Sequence, residues 1–276
     1  MKVFKLRALV GACLLLGVLA VAAVPAGTAG ADPTVSGQAI CIGASTASPG
    51  TALSGTYHNL TIKGNNYVAA GATLTVYGNL RIAPRGCLDA FSQGTVNVWG
   101  NIHVGRDGIL GLGCYPAVNG PPPGPPCDTT TTNDTVAGNI VALHPWSMYL
   151  SADKIYGNVI SIGGGPGVTE TPYVNFPIKA NVIYGNLIVR GWHGAWAGAL
   201  RNTVYGNMIY ASNRGVDPDS NEVVSNTISG NLICHGNSPA PQIGDALTDP
   251  ANGSGLNTVG GRAVGQCDTL SLTTSS

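Results

Sequence analysis

Two neighbouring segments of the chain carry side chains whose types suit the binding of a saccharide. Their chemically active residues are Trp192, His193, Trp196, Arg214, Asp217, Asp219 and Glu222. Flat aromatic faces stack on sugar rings, and carboxylates bind hydroxyl groups or transfer protons. The segments therefore predict a ligand-binding patch that uses all of these residues except Glu222. For catalysis the candidates are weaker, and they are Asp217, Asp219, Glu222 and His193.

The same residues have two further interpretations. The tryptophans can cap exposed loop backbone, and the acidic string from Asp217 to Glu222 can be ordinary turn chemistry. Calcium binding by Asp217, Asp219 and Glu222 stays open, although their spacing lacks the EF-hand pattern. No Gly-x-Ser-x-Gly nucleophile string occurs in the chain. We otherwise expect no metal centre and no cofactor.

A repeated string determines how these segments are positioned. It reads aliphatic, any residue, Gly, Asn, aliphatic, and it recurs at intervals of 19 to 38 residues. Its asparagines are Asn79, Asn101, Asn139, Asn158, Asn186, Asn207 and Asn231. Aliphatic residues alternate with freer positions around each copy, which is the side-chain period of a strand. Glycine permits a sharp bend and asparagine tolerates the left-handed conformation. Each copy therefore predicts a strand, a bend and a strand, with the asparagine amides stacked in a hydrogen-bonded ladder.

This pattern resembles right-handed parallel β-helices of the pectate-lyase type, in which an asparagine ladder lies between the second and third sheets. The resemblance covers about residues 35–265. It implies an all-β chain, a single-stranded right-handed parallel β-helix (solenoid) of about ten turns, with ligands bound at the loops after the third strands. Trp196 and Asp217 each stand ten residues after their asparagine, so stacked turns place them close together. The scaffold carries lyases, hydrolases, tailspikes and adhesins, so it does not specify a function.

None of the catalytic motifs of this fold is complete in the chain. Its hydrolases use an Asn-Thr-Asp string, and two strings that begin at Asn202 and Asn226 approach it. Both end in an aliphatic residue instead of Asp. The sequence therefore favours a secreted, non-catalytic protein that binds a polysaccharide or cell-surface glycan, or that serves as a structural or adhesive rod. The alternative is a polysaccharide lyase or glycoside hydrolase with an unrecognised site after the third strands. Carboxylates that converge in a groove there would favour this alternative.

The ends of the chain differ from its middle. Residues 1–31 have the charged start, apolar core and small-residue end of a secretory signal peptide. Residues 32–268 are predicted to form the β-helix, and residues 269–276 a disordered polar tail. Without the signal peptide, ten basic and thirteen acidic side chains leave a net charge of −3. This balance argues against nucleic acid as a partner, and we expect no membrane contact after cleavage.

Six cysteines remain after the signal peptide: Cys41, Cys87, Cys114, Cys127, Cys234 and Cys267. An even number in an exported chain predicts disulfides and an extracellular location. Cys114 and Cys127 flank a proline-rich string and predict an insert, residues 114–130, that is closed at its base. Cys234 and Cys267 lie in the last two turns and are expected to pair. This leaves Cys41 and Cys87 as a pair by elimination only.

Two further columns of side chains are expected to face outward. Two residues before each asparagine come aromatic side chains, interrupted once by Ala137: Tyr57, Tyr77, Trp99, Tyr156, Tyr184 and Tyr205. A self-stacking row that stiffens the sheet is favoured here over a track for glycan. Two residues after the later asparagines come Val141, Ile160, Ile188, Ile209 and Ile233. A monomer seldom leaves such a stripe bare, so either residues 163–177 or a second copy of the chain is expected to cover it.

Overall fold

The computed structural model describes residues 40–41, 50–91, 94–113, 134–169, 172, 174–216, 218–244 and 255–268. The predicted signal peptide, the insert 114–130 and the tail 269–276 lie outside these ranges. All described residues belong to one compact unit, which spans residues 34–276.

Each turn of the chain contributes one short strand to each of three sheets. The first sheet contains β1 (Thr51–Ala52), β4 (Asn65–Tyr67), β7 (Cys87–Asp89), β10 (Ile109–Gly113), β13 (Ser147–Ser151), β16 (Asn175–Lys179), β19 (Trp196–Leu200) and β22 (Asn221–Val224). The second contains β2 (Gly55–Tyr57), β5 (Thr73–Val76), β8 (Thr95–Val98), β11 (Thr135–Val136), β14 (Lys154–Ile155), β17 (Val182–Ile183), β20 (Thr203–Val204), β23 (Thr227–Ile228) and β25 (Thr258–Val259). The third contains β3 (Leu60–Ile62), β6 (Leu80–Ile82), β9 (Ile102–Val104), β12 (Ile140–Leu143), β15 (Val159–Ile162), β18 (Leu187–Arg190), β21 (Met208–Ala211), β24 (Leu232–His235) and β26 (Ala263–Gly265).

Strands of successive turns pair in parallel throughout the three sheets. In the third sheet, for example, Ile140 pairs with Val159, Val159 with Leu187, and Leu187 with Met208. The prediction of an all-β parallel β-helix is therefore confirmed. The second and third sheets each contain nine strands within the described residues, whereas about ten turns were predicted.

The core consists of the inward rows of the three sheets. Alternation puts Leu80, Ile102 and Ile140 in one fully buried row of the third sheet. Burial of such a side chain stabilises the fold by about 1.5–3 kcal/mol. In the described part of the chain, no helix is long and apolar enough to span a membrane.

The repeated Gly-Asn pairs form the bend between the second and third sheets. Asn158 donates from its backbone N and its Nδ2 to Oδ1 of Asn139, over 2.8 Å each, and Asn186 repeats this arrangement on Asn158. Further bonds of this kind join the ladder from Asn79 to Asn231.

The glycine in each bend has a different role from the one expected. Neither Gly100 nor Gly138 has a positive φ, and the ladder asparagines do not either. A Cβ on Gly100 would instead lie 2.5 Å from the carbonyl oxygen of Gly78 in the preceding turn. The repeat therefore needs glycine because neighbouring turns approach closely at this bend.

Two further amide ladders, which were not expected from the sequence, support the other bends. One lies between the first and second sheets and contains the buried residues Asn181, Asn202 and Asn226 and the half-buried Asn257. The other lies between the third and first sheets and contains Asn213, Asn237 and Gln266. Asn202 and Asn226, which resemble part of a hydrolase motif in sequence, are thus structural residues. The spacing in the sequence does indicate the buried ladder, because Asn181, Asn202 and Asn226 each stand five residues before an asparagine of the repeated string.

Two of the predicted disulfides are present at the two ends of the described fold. Cys41 pairs with Cys87, with 5.6 Å between their Cα atoms, and Cys234 pairs with Cys267, with 5.2 Å between theirs. Cys114 and Cys127 lie outside the described residues. Disulfides of this kind are typical of proteins in oxidising compartments.

Candidate functional site

The structure separates the residues of the predicted ligand-binding patch. Trp192 has no exposed surface and belongs to the core. Its Nε1 donates to the carbonyl oxygen of Trp146 over 3.1 Å, and its ring packs against Phe176 with 5.3 Å between centroids. The chain turns inward directly after Gly191, which has a φ of 70°. Trp192 is therefore a packing residue and leaves the ligand-binding set.

The other residues of the patch divide between a bend and a sheet. The backbones of His193 and Arg214 pair at the bend between the third and first sheets, where His193 is half-buried and Arg214 exposed. Asp219 is exposed and accepts a hydrogen bond of 2.6 Å from Nε2 of Gln242. Asp217 lies outside the described residues.

Trp196 stands on the outer face of the first sheet, in β19. Its ring lies over Gly198, because a Cβ there would come within 2.4 Å of Cη2 of the indole. Nε1 of Trp196 donates to Oε1 of Glu222 over 2.9 Å, and Nζ of Lys179 lies 4.8 Å from the ring centroid. The indole is half-buried. Gly198 against the ring, one hydrogen bond at Nε1 and the Lys179 ammonium over the ring hold the indole in place on the sheet.

Charged groups collect around this indole in a chain that has few of them. Burial lowers the pKa of Lys179, and the charge of Arg201 lowers it further while that of Glu222 opposes the shift. Burial likewise lowers the pKa of Arg201. We call Lys179, Trp196, Arg201, Glu222 and Asp219 with Gln242 the first-sheet patch. It brings together an aromatic ring and charged hydrogen-bonding groups, and sugar-binding sites combine these two kinds of group.

Lys179 and Gln242 also belong to this patch, although their positions in the sequence did not indicate it. Lys179 stands 17 residues before Trp196, and only the strand register places it one turn away. The register pairs Asn175 with Trp196, so Lys179 stands on the adjacent strand. Gln242 joins because its backbone pairs with Glu222. Strand alternation would have placed Lys179 on the outer face once the register was known.

Two carboxyl groups at the buried first bend are structural instead of catalytic. Asp134 and Asp153 stand five residues before Asn139 and Asn158, so they occupy positions that asparagine fills in later turns. Asp134 accepts bonds of 2.6 Å from the backbone N of Val96 and of Gly113. Burial raises the pKa of Asp134 to about 7. Burial, with the charge of Asp134 adding to it, raises the pKa of Asp153 well above its ordinary value.

The outward aromatic row of the second sheet is exposed and largely self-stacked. Tyr156 stacks on Tyr184 with 5.0 Å between centroids and 9° between planes, and Tyr184 stacks on Tyr205 at 4.9 Å and 12°. Tyr184 therefore has both faces covered by its neighbours. This geometry favours stiffening of the sheet over a continuous track for glycan.

The outward aliphatic row of the third sheet is half-buried at Val141, Ile160, Ile188, Ile209 and Ile233. Glycines of the loop that was expected to cover it bond to a different part of the fold. Gly165 donates to the carbonyl oxygen of Pro145 and Gly167 to that of His193, which places this part of the loop at the bend before the first sheet. Coverage of the row by a second copy stays a prediction.

This prediction is tested by the solution mass of the double variant Ile188→Lys/Ile209→Lys beside the unchanged protein. If a second copy covers the row, we expect an oligomer that two buried ammonium groups convert to a folded monomer. An unchanged protein that is already monomeric would contradict self-association through this face.

Among the described residues, no three histidine, cysteine or acidic side chains are grouped to hold a metal ion. Asp217 is not among the described residues, so the prediction that Asp217, Asp219 and Glu222 bind calcium stays a prediction.

Three sheets of stacked parallel strands, joined by amide ladders at the bends, define the class of this chain as a parallel β-helix repeat protein. Comparison with models of protein families, with curated proteins and with solved structures finds no match for it.

Proposed function

We propose that this chain is a secreted, non-catalytic β-helical protein that binds a polysaccharide or a cell-surface glycan. The observation that carries the proposal is the flat indole of Trp196 on the outer face of the first sheet, with Glu222 bonded to Nε1 at its rim and the ammonium group of Lys179 over the ring. Sugar rings bind through an apolar face and a rim of hydroxyl groups, so an aromatic plane beside charged groups complements both.

The surrounding scaffold supports a binding role. Rigid parallel sheets hold the patch on strands, where side chains are positioned more firmly than on loops. The disulfides agree with an extracellular protein that must keep its fold without cellular repair. The long, repetitive surface also suits a structural or adhesive rod that contacts an extended polymer.

The proposal is tested by replacing Trp196 with alanine and measuring retention on insoluble polysaccharides. We expect binding to fall at least about tenfold, which corresponds to loss of one stacked ring of roughly 1.4 kcal/mol. The fold should lose only about 1 kcal/mol, or about 2–4 °C of melting temperature, because the indole is half-buried.

The matched control is Tyr205→Ala, which removes an exposed aromatic ring from a different sheet and should leave retention through the first-sheet patch unchanged. Retention by Trp196→Ala equal to that of the unchanged protein would refute the assignment of this patch.

A second candidate function is a polysaccharide lyase or glycoside hydrolase. It is favoured by the gathering of Lys179, Arg201 and Glu222, since burial lowers the pKa of Lys179 and so eases its use as a base. An enzyme should cleave at least one member of a broad polysaccharide panel and lose turnover on Glu222→Gln, while Asp107→Asn keeps it. Absence of cleavage by the unchanged protein across the panel would rule this candidate out.

A further inference from the structure

The aromatic row of the second sheet is interrupted at one turn. Ala137 stands where the turns on either side carry Trp99 and Tyr156, because Val98 pairs with Val136 and Val136 with Ile155. Trp99 has 64% of its surface exposed and Tyr156 has 46%. A small side chain between two large rings leaves a gap in an otherwise continuous row.

The gap forms a cavity of about 480 Å³. Its walls are Trp99 and Tyr156, its floor includes Val98 and Ala137, and its polar lining comes from Asn97 and Thr135. This volume lies within the range of small-molecule sites, about 300–1,000 Å³.

The rings beside the gap differ from the rest of the row in what they expose. Tyr184 covers one face of Tyr156 at 5.0 Å, so the other face of Tyr156 is directed toward the turn of Ala137. No such pairing covers this face, because alanine supplies no ring. The gap is therefore where the row can offer an aromatic face to a ligand.

The width of the gap selects the thickness of the ligand. Trp99 and Tyr156 are two turns apart, which at about 4.8 Å per turn is roughly 10 Å. A flat aromatic ring contacts carbon atoms at about 3.5–4.0 Å on each side and would fill roughly 7–8 Å of this space. A pyranose chair is puckered and carries axial hydrogens on both faces, so it fills the gap better.

The lining selects the same ligand. A pyranose whose hydroxyl groups are all equatorial has two apolar faces and a polar rim. Its faces match Trp99 and Tyr156, and its rim matches the amide of Asn97 and the hydroxyl of Thr135. An axial hydroxyl would be pressed against a ring and lose its hydrogen bonds to water.

We propose that the gap at Ala137 is a saccharide subsite that holds one β-gluco-configured pyranose ring between Trp99 and Tyr156. This site lies on the second sheet and involves none of the residues of the first-sheet patch. It therefore stands or falls independently of the proposed function at Trp196.

The test uses the indole N–H signals of the purified protein in ¹H–¹⁵N NMR spectra, titrated with methyl β-glucopyranoside. Trp99→Phe and Trp196→Phe identify the two relevant signals, so one titration reports both sites separately. We expect the Trp99 signal to shift and saturate with a millimolar dissociation constant. Methyl β-galactopyranoside, which has an axial 4-hydroxyl, should bind at least about tenfold more weakly.

The decisive variant is Ala137→Tyr, which fills the gap with a ring that continues the row. We expect it to abolish the shift of the Trp99 signal while the melting temperature stays the same or rises. Tyr156→Ala should weaken binding at least about tenfold, and Tyr205→Ala, a matched loss of an exposed tyrosine at the far end of the row, should leave it intact.

Three results would overturn the proposal. The first is a Trp99 signal that does not move at high concentrations of the glucoside. The second is a shift of this signal in Ala137→Tyr that equals the shift in the unchanged protein. The third is an affinity for the galactoside that equals the affinity for the glucoside. A shift confined to the Trp196 signal would refute the gap but leave the first-sheet patch standing. A shift confined to the Trp99 signal would support the gap, and the first-sheet patch would still be decided by the retention of Trp196→Ala on polysaccharides.

Discussion

Asp153→Asn is expected to stabilise the protein strongly at pH 8 and hardly at all at pH 4. Asp153 is fully buried, and its carboxyl oxygens have no hydrogen-bond partner among the described residues. It occupies the ladder position that Asn181 fills one turn later, and its backbone N donates to Oδ1 of Asn181 over 2.9 Å. Asparagine would supply a neutral amide at the same position.

The pH dependence follows from the direction of the pKa shifts. The pKa values of Asp134 and Asp153 are raised, so the folded protein retains protons that the unfolded chain releases near pH 4. Their stabilising effect is complete below the unfolded pKa and is lost as the pH rises through the folded one. For each such proton, the unfolding free energy should fall by about 1.4 kcal/mol per pH unit. Between pH 4 and pH 7 this amounts to roughly 4 kcal/mol for each proton.

Chemical denaturation of the unchanged protein and Asp153→Asn from pH 4 to pH 8 measures this effect. The variant should show a much flatter dependence of unfolding free energy on pH. Asp107→Asn is the matched control, because the side chain of Asp107 is 40% exposed and only its surface pairing with Arg85 is lost. Parallel pH profiles for the unchanged protein and Asp153→Asn would show that Asp153 is ionised in the fold.

Asn202→Ala is expected to be the most destabilising change in the ladders, at about 3–5 kcal/mol. Oδ1 of Asn202 accepts bonds of 3.0 Å from N and Nδ2 of Asn181. Its Nδ2 donates to the carbonyl oxygen of Ile178 over 2.9 Å and to Oδ1 of Asn226 over 3.0 Å. Alanine would leave donors and acceptors of three neighbours unpaired in a buried bend, where water cannot replace the lost bonds.

Equilibrium denaturation of Asn202→Ala beside Asn231→Ala tests the importance of burial. Asn231 makes the same type of ladder bonds, with its N donating to Oδ1 of Asn207 over 2.8 Å, but it is exposed. Its loss should cost about 1 kcal/mol or less, because water can hydrate the freed groups. Equal costs for the two variants would contradict the view that the buried ladder holds the turns together.

The fold could be predicted from sequence because its signal is local and repeated. Each Gly-Asn copy, with alternating aliphatic residues around it, specifies strand, bend and strand within a few positions, and repetition specifies stacking. The two buried or partly buried ladders were missed because single asparagines, such as Asn202 and Asn213, do not stand out by residue type. They become visible only when the turns are aligned by the Gly-Asn pairs.

The candidate sites depended on tertiary structure to a much greater extent. Trp192 and Trp196 are four residues apart and alike in type, yet one is core and the other lies on the outer face of a sheet. The path of the chain after Gly191 makes this difference, and residue type cannot reveal it. Lys179 and Glu222 likewise share a patch only because strand register brings three successive turns together.

What the sequence by itself determined was the repeating unit and the three parallel sheets, because both depend on short-range patterns that recur. The pair Cys234–Cys267 was expected from its position in the last two turns, whereas Cys41–Cys87 followed by elimination only. What only the tertiary structure decided was which side chains on those turns are reachable. The cavity at Ala137 is an example. The missing ring at this position leaves a cavity only because Trp99 and Tyr156 stand on the turns at either side. Because the turns stack, one small residue can create a cavity between side chains of neighbouring turns. Which side chains become neighbours depends on how turns that start 19 to 38 residues apart in sequence align with one another.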